Sequence, residues 1–103
     1  MNESQTQLEL IEPKLRHAGW FDIPAKIKKE HPITKGRLIG QGMRSQPLKA
    51  DYVLQYNNRN IAVVEAKARD KNYTEGLAQA IDYAKRLNLR FTYATNGLKI
   101  YEV

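Results

Sequence analysis

The chain has 103 residues, 42% of them hydrophobic, which suits one packed domain with a modest core and is too short for two. It contains no cysteine, so a disulfide framework, a thiolate zinc site and a cysteine nucleophile are excluded together. Seventeen Lys and Arg against eleven Asp and Glu give a formal charge of +6, which points toward a polyanionic partner, nucleic acid being the commonest. No apolar run approaches the roughly 20 residues that span a bilayer. The opening MNESQTQ is polar rather than signal-like, so a cytoplasmic location with no membrane partner is expected.

Leu8, Ile11, Leu15 and Ala18 recur at helical spacing and predict an apolar stripe on an opening helix. Pro13 removes one backbone donor inside that stretch, so a kink or a fresh helical start is expected there. Gly19 reads as the stop, with Trp20 and Phe21 packing back onto the core. Residues 22–47 hold three of the four prolines, three glycines and many Lys and Arg. They read as an irregular excursion with at most one or two short strands, the best candidate being 37–39.

Residues 50–56 (ADYVLQY) and 61–68 (IAVVEAKA) are strand-like and flank the turn material 57–60 (NNRN), which predicts a hairpin. The second run is apolar on both faces, as in a central strand covered from both sides. Residues 74–89 switch to helical period, with Thr74 as cap and Leu77, Ala80, Ile81, Ala84 and Leu87 on one face. Residues 91–95 (FTYAT) read as a strand, Asn96-Gly97 as a turn and 98–103 as a final edge strand. The sum is a small α/β sandwich with a mixed sheet between helices.

Three polar residues stand where a buried sheet should not have them. Asp51 opens one strand, while Glu65 and Lys67 interrupt IAVVEAKA and project from the same face. Burying a carboxylate beside an ammonium is expensive without a reason. Across the hairpin, Asp51 is expected near Glu65, and two carboxylates brought together call for a cation between them, a divalent metal being the obvious one. That set suits phosphodiester hydrolysis, which needs an oriented water and neutralised phosphate charge. The bland alternative is a Glu65–Lys67 salt bridge on an edge strand and a turn-capping Asp51. Gln79 and Tyr83, spaced i and i+4 on the following helix, share a face beside its apolar stripe and suit groups that reach a phosphate or Lys67 from the side.

Together, KADYVLQY, IAVVEAKA, GLAQAIDYA and FTYATNG resemble the N-terminal nuclease domain of type I restriction enzyme motor subunits (the R or HsdR subunit), within the PD-(D/E)XK nuclease superfamily. The opening ELIEPKLRHAGW is similar to that family's first helix, so the resemblance runs over almost the whole chain. Asp51 matches the family's core Asp, although the "PD" is here Ala50-Asp51. Glu65 and Lys67 match Glu-x-Lys, and Gln79 and Tyr83 match the Gln-x-x-x-Tyr motif shared with RecB-like nucleases. The first helix in this superfamily often lends a glutamate, for which Glu9 and Glu12 are both candidates.

The resemblance implies a restriction-endonuclease-like α/β/α sandwich that cleaves double-stranded DNA without sequence preference of its own. It implies Mg²⁺, with Mn²⁺ able to substitute, held by Asp51, Glu65 and the carbonyl of Ala66. Lys67 would act on the attacking water, and Gln79 and Tyr83 would position the DNA backbone or brace Lys67. The implied partners are an ATP-driven translocase domain in the same polypeptide and separate modification and specificity subunits. This chain has no Walker-type glycine loop, so ATP hydrolysis is not expected of it. It reads as a single nuclease domain, residues 1–103, excised from a longer motor subunit or standing free. Two alternatives stay open: a stand-alone nuclease of the same fold (junction resolvase, repair or transposition type), and a DNA-binding module with a vestigial site. Lys49, Arg69, Lys71, Lys85, Arg86 and Arg90 are expected to flank the site and add sequence-independent phosphate attraction. His17 and His31 are isolated and receive no role.

Overall fold

The computed structural model describes residues 1–33 and 48–102. Helices α1 (Glu3–Thr6) and α2 (Glu12–His17), strands β1 (Ala25–Pro32), β2 (Lys49–Tyr56) and β3 (Arg59–Ala66), helix α3 (Leu77–Leu87), and strands β4 (Phe91–Thr95) and β5 (Ile100–Glu102) follow in that order. The strands form one mixed sheet in sequence order. Only β3 and β4 are parallel, because α3 carries the chain back between them. On one face Ile11, Tyr52, Leu54, Ala62, Val64 and Ala66 pack together, joined by Leu15 and Trp20. On the other, Val53 and Val63 pack under Ala80, Tyr83 and Ala84 of α3. The fold is therefore the expected helix–sheet–helix sandwich, and the two-sided burial of β3 explains its unbroken apolar run.

The hairpin forms as its pattern dictates, with a tighter turn. Asn57 and Asn58 alone make it, at φ 51° and 64°, a left-handed conformation that asparagine tolerates better than most residues. Arg59 and Asn60 already belong to β3. The opening helix departs from its simple stripe. Asn2 and Gln5 form a reciprocal capping box on α1, a π-helical turn spans Gln7–Ile11, and Pro13 sits in the first turn of α2, where a missing N–H costs nothing. The wider π turn rotates the face that meets the sheet. Ile11 is buried and Leu15 half-buried, but Leu8 is 64% exposed and Ala18 faces solvent; Thr6 takes the buried place instead. Gly19 ends the helix at φ +93°, as expected. Trp20 packs against the core, whereas Phe21 turns outward beneath the guanidinium of Arg16, 4.5 Å from its ring centre.

The largest departure is β1, which lies inside the stretch read as irregular. Ala25 and Ile27 are half-buried while Lys26 is exposed, and a lysine-rich strand of this kind suits the edge of a sheet. The strand expected at 37–39 lies outside the described residues. Helix α3 starts later than expected, with Gly76 rather than Thr74 at its N-cap; Thr74 is bound to the side chain of Asn72 in the preceding turn. It ends at Leu87 under a left-handed Asn88 cap. The Asn96-Gly97 turn is present, with Asn96 Oδ1 accepting from the N–H groups of Leu98 and Lys99, and the edge strand after it is limited to Ile100–Glu102. Among the described residues, no helix is long and apolar enough to cross a membrane.

Candidate active site

β2 and β3 pair from Tyr56↔Arg59 up to Tyr52↔Val64. One position further on, two carboxylates take over the ladder. The main-chain N–H of Asp51 donates to Glu65 Oε1 (3.1 Å), and the N–H of Ala66 donates to Asp51 Oδ2 (2.8 Å). Each acid is thus fixed by the other's strand, and the two expected partners do meet. On its far side β3 is continued by its parallel neighbour, since the Lys67 N–H donates to the Thr95 carbonyl at 2.9 Å. That bond holds the backbone of Glu65, Ala66 and Lys67 in extended form past the end of the strand.

Glu65 is 3% exposed, and its carboxyl is pushed up to about 9. Burial is the main cause, followed by its hydrogen bond with Asp51 and the negative charge of Asp51; the Asp51 N–H and the Lys67 ammonium pull the other way. With no cation present, the pair is best satisfied by sharing a proton. The same arrangement fits a hard divalent ion, whose charge replaces that proton and whose preferred ligands are oxygens. Asp51, Glu65 and the Ala66 carbonyl offer oxygen alone. Among the described residues, no group of three acidic or histidine side chains closes tightly enough to hold a metal, so the site rests on two carboxylates.

The start of α3 lies against Glu65 and Lys67. A methyl group placed on Gly76 would stand 3.3 Å from Glu65 Cβ and 3.5 Å from Lys67 Cε. The helix therefore adds its positive N-terminal end to the Lys67 ammonium, which together favour an anion at the site. Gln79 and Tyr83 lie one and two turns further along. Gln79 Nε2 donates to the Tyr83 hydroxyl at 2.6 Å, and the Tyr83 ring is buried beneath α3. Among the described residues their hydrogen bonds run to each other and not to Asp51, Glu65 or Lys67. Lys85 and Arg86 occupy the last turn of α3, roughly 15 Å from its start, so they do not flank the acids as expected.

Neither glutamate proposed on the opening helix turns to the carboxylate pair. Glu12 is buried, accepting from the Tyr52 hydroxyl (2.9 Å) and from Lys29 Nζ (2.9 Å), and Glu9 is exposed. The residue that sequence reasoning missed is Glu3. Burial raises its carboxyl, the charge of Asp51 raises it further, and Lys67 lowers it, which puts it within electrostatic reach of both. The legible signal was Asn2-x-x-Gln5, the capping box that starts the helix early enough to carry Glu3. A concavity of about 480 Å³ on the opposite face, lined by residues such as Leu15, Trp20, Val64 and Ile100, contains none of these groups.

Comparison with known proteins bears on the family and the fold. Residues 30–99 match the family model of the second domain of the type I restriction enzyme EcoKI endonuclease subunit. The type I restriction enzyme EcoAI endonuclease subunit of Escherichia coli is 33% identical over 101 residues, covering 94% of this chain and 12% of that protein. A solved fragment described as an HsdR subunit of a type I restriction enzyme, from Vibrio vulnificus YJ016, superposes with a TM-score of 0.91 at 38% identity. That match covers 99% of this chain and 21% of the other. The chain thus spans about an eighth of the length of the E. coli relative. With 70 of its residues inside the family model, and a third of the 101 residues aligned with EcoAI identical, the chain belongs to the type I restriction enzyme endonuclease-subunit family.

Proposed function

We propose that this chain is the Mg²⁺-dependent DNA-cleaving domain of a type I restriction enzyme endonuclease subunit, hydrolysing phosphodiester bonds without sequence specificity of its own. The observation that carries the reading is the crossed bonding beside Lys67, Asp51 N–H to the Glu65 carboxylate and Ala66 N–H to the Asp51 carboxylate, at the point where β2 and β3 stop pairing. Family membership favours this over a junction resolvase, a repair nuclease or a transposition enzyme on the same fold. An intact Asp51, Glu65 and Lys67 argues against a vestigial DNA-binding module.

Asp51, Glu65 and the Ala66 carbonyl would hold the ion, with Mn²⁺ able to replace it. Bound there, Mg²⁺ supplies charge neutralisation at the scissile phosphate and a more acidic attacking water. Lys67 orients that water and offsets negative charge as the phosphorus becomes five-coordinate, aided by the N-terminal end of α3. Gln79, exposed and bonded to the hydroxyl of the buried Tyr83, would contact the DNA backbone or brace Lys67, with Tyr83 holding it in place. The partners this reading requires are double-stranded DNA, an ATP-driven translocase in the same polypeptide and the modification and specificity subunits, in the cytoplasm.

The test is cleavage by the complete restriction complex carrying Glu65→Ala or Lys67→Ala. Both should stop cutting while ATP-driven translocation continues. A normal cutting rate in either variant defeats the assignment.

A further inference from the structure

Strand β1 sets two unengaged lysines on the carboxylate face of the sheet. Lys28 pairs with Val53 and Lys26 with Gln55, and directly paired residues of antiparallel strands share a face. Val53 in turn pairs with Val63, which shares a face with Glu65 two residues on. Lys26, Lys28 and Glu65 therefore project to the same side, the side of α3. The alternate residues face away: Ile27 joins the Leu54 core, and Lys29 is neutralised by Glu12. Among the described residues, nothing accepts a hydrogen bond or an ion pair from Lys26 or Lys28.

Strand spacing fixes how these charges sit. Lys28 is one strand across and two residues along from the position facing Asp51, so their Cα atoms are roughly 8 Å apart, and Lys26 lies about 7 Å further out. The result is a pair of positive charges leading toward the acids, with Glu30, at φ 48°, occupying the position opposite Asp51. Arg86, in contrast, is held by Asp82 at 3.0 Å on the far end of α3.

The geometry points to Lys26 and Lys28 as a phosphate-contacting track that lays duplex DNA along β1 and delivers one strand to Asp51 and Glu65. The track rests on the nuclease reading and extends it to how the substrate is held. Unpaired lysines give phosphate contacts that carry no sequence information, which suits a domain that cuts without choosing its site.

The test uses the 103-residue chain and a fluorescent DNA duplex, with binding followed by anisotropy in EDTA from about 50 to 200 mM KCl. K26Q/K28Q keeps the aliphatic stems and removes two charges. It should lower the slope of log K against log salt by about 2 and weaken binding about tenfold at the low-salt end. R86Q should change neither. An unchanged slope in K26Q/K28Q, or a wild-type chain that does not bind duplex DNA, overturns the track. If K26Q/K28Q melts early, wild-type lysines are read directly by acetylation with and without DNA. Protection of Lys26 and Lys28 upholds the track, and equal labelling overturns it. Mg²⁺-dependent nicking is scored separately. A wild type that binds through these lysines, in a complete complex that never cuts, removes the nuclease reading and leaves the track as a DNA-binding surface. Nicking with an unchanged slope removes the track alone.

Discussion

The Asp51 N–H and the Glu65 carboxylate are bonded to each other at 3.1 Å, so one catalytic candidate holds the backbone of the other. Glutamine at position 65 keeps that acceptor and adds an amide donor for the Asp51 carboxylate, without a proton to lose. The folded carboxyl of Glu65 is raised, from 4.5 to about 9, so the folded state keeps a proton that the unfolded chain gives up. Stability from that proton is complete below pH 4.5 and drains away as pH climbs toward 9. In EDTA, Glu65→Gln should therefore melt higher than wild type, with a gap that is negligible near pH 4.5 and on the order of 2–4 kcal/mol by pH 8. Thermal melts across that range check it; a gap independent of pH would mean that Glu65 is ionised throughout.

Cation binding should show the mirror image. On the proposed reading Mg²⁺ would replace the Glu65 proton, so its affinity for the wild-type chain should rise with pH up to about 9 and level off beyond. Calorimetry in two buffers of different ionisation heat reads the proton release directly. Asp51→Asn and Glu65→Gln should each bind Mg²⁺ at least tenfold more weakly, by roughly 1.4 kcal/mol or more. Wild-type binding that ignores pH would contradict the pairing.

Lys67 is half-buried and lies against Gly76 at the head of α3. Lys67→Met keeps the stem and removes the charge, so it should lower cleavage by about 10²-fold or more while stability moves by less than about 1 kcal/mol. Gly76→Ala presses a methyl group onto Glu65 Cβ at 3.3 Å and should slow cleavage several-fold by displacing Glu65 and Lys67. Single-turnover cutting with saturating DNA separates these effects from binding.

Two glycines at left-handed φ make a graded test of packing. Gly19 at φ +93° has nothing within 4 Å of an added methyl group, so Gly19→Ala should cost only about 1 kcal/mol of backbone strain. Gly97 at φ +86° would put that methyl 2.8 Å from Leu10 Cβ and 3.0 Å from Thr6 Cγ2. Gly97→Ala should therefore cost about 2–4 kcal/mol, because it also pushes the opening helix off the β4–β5 turn. Urea unfolding midpoints rank the two; equal costs would refute the contact.

Tyr52 and Lys29 are the two donors to the buried Glu12. Burial and the bond to Glu12 both keep the Tyr52 hydroxyl protonated. Tyr52→Phe strands one carboxylate oxygen and should destabilise the chain by about 1–3 kcal/mol, more than Lys29→Ala, whose charge is half in solvent. Adding Glu12→Gln should recover part of the Tyr52→Phe loss.

The residues of the hairpin and of α3 were legible because burial on both sides of β3 and one side of α3 leaves clear periods in IAVVEAKA and LAQAIDYAKRL. That Asp51 comes near Glu65 was legible from the hairpin, but the exact register was not, because a two-residue turn and a bulge at Leu54/Gln55 set it. Strand β1 was hidden because an edge strand buries only Ala25 and Ile27 lightly, and its lysines and prolines resemble loop chemistry. Glu3 was hidden by distance: no local pattern says that residue 3 comes near residues 51 and 67. The π turn at Gln7–Ile11 also shifted the helix face: Pro13 marked a break in the helix at this place, but not the extra residue in the turn before it.

The Asn57-Asn58 turn lies six residues from Asp51, about 20 Å along the strand. Because side chains alternate, the length of that turn, together with the register shift at Leu54/Gln55, decides which residues end up across from each other at the opposite end of the hairpin. One residue inserted at this surface loop would carry Asp51 past Glu65 and swing its carboxylate to the wrong side. The placement of the two acids is in this sense counted out from a solvent-facing bend and a bulge, neither of which carries a carboxylate.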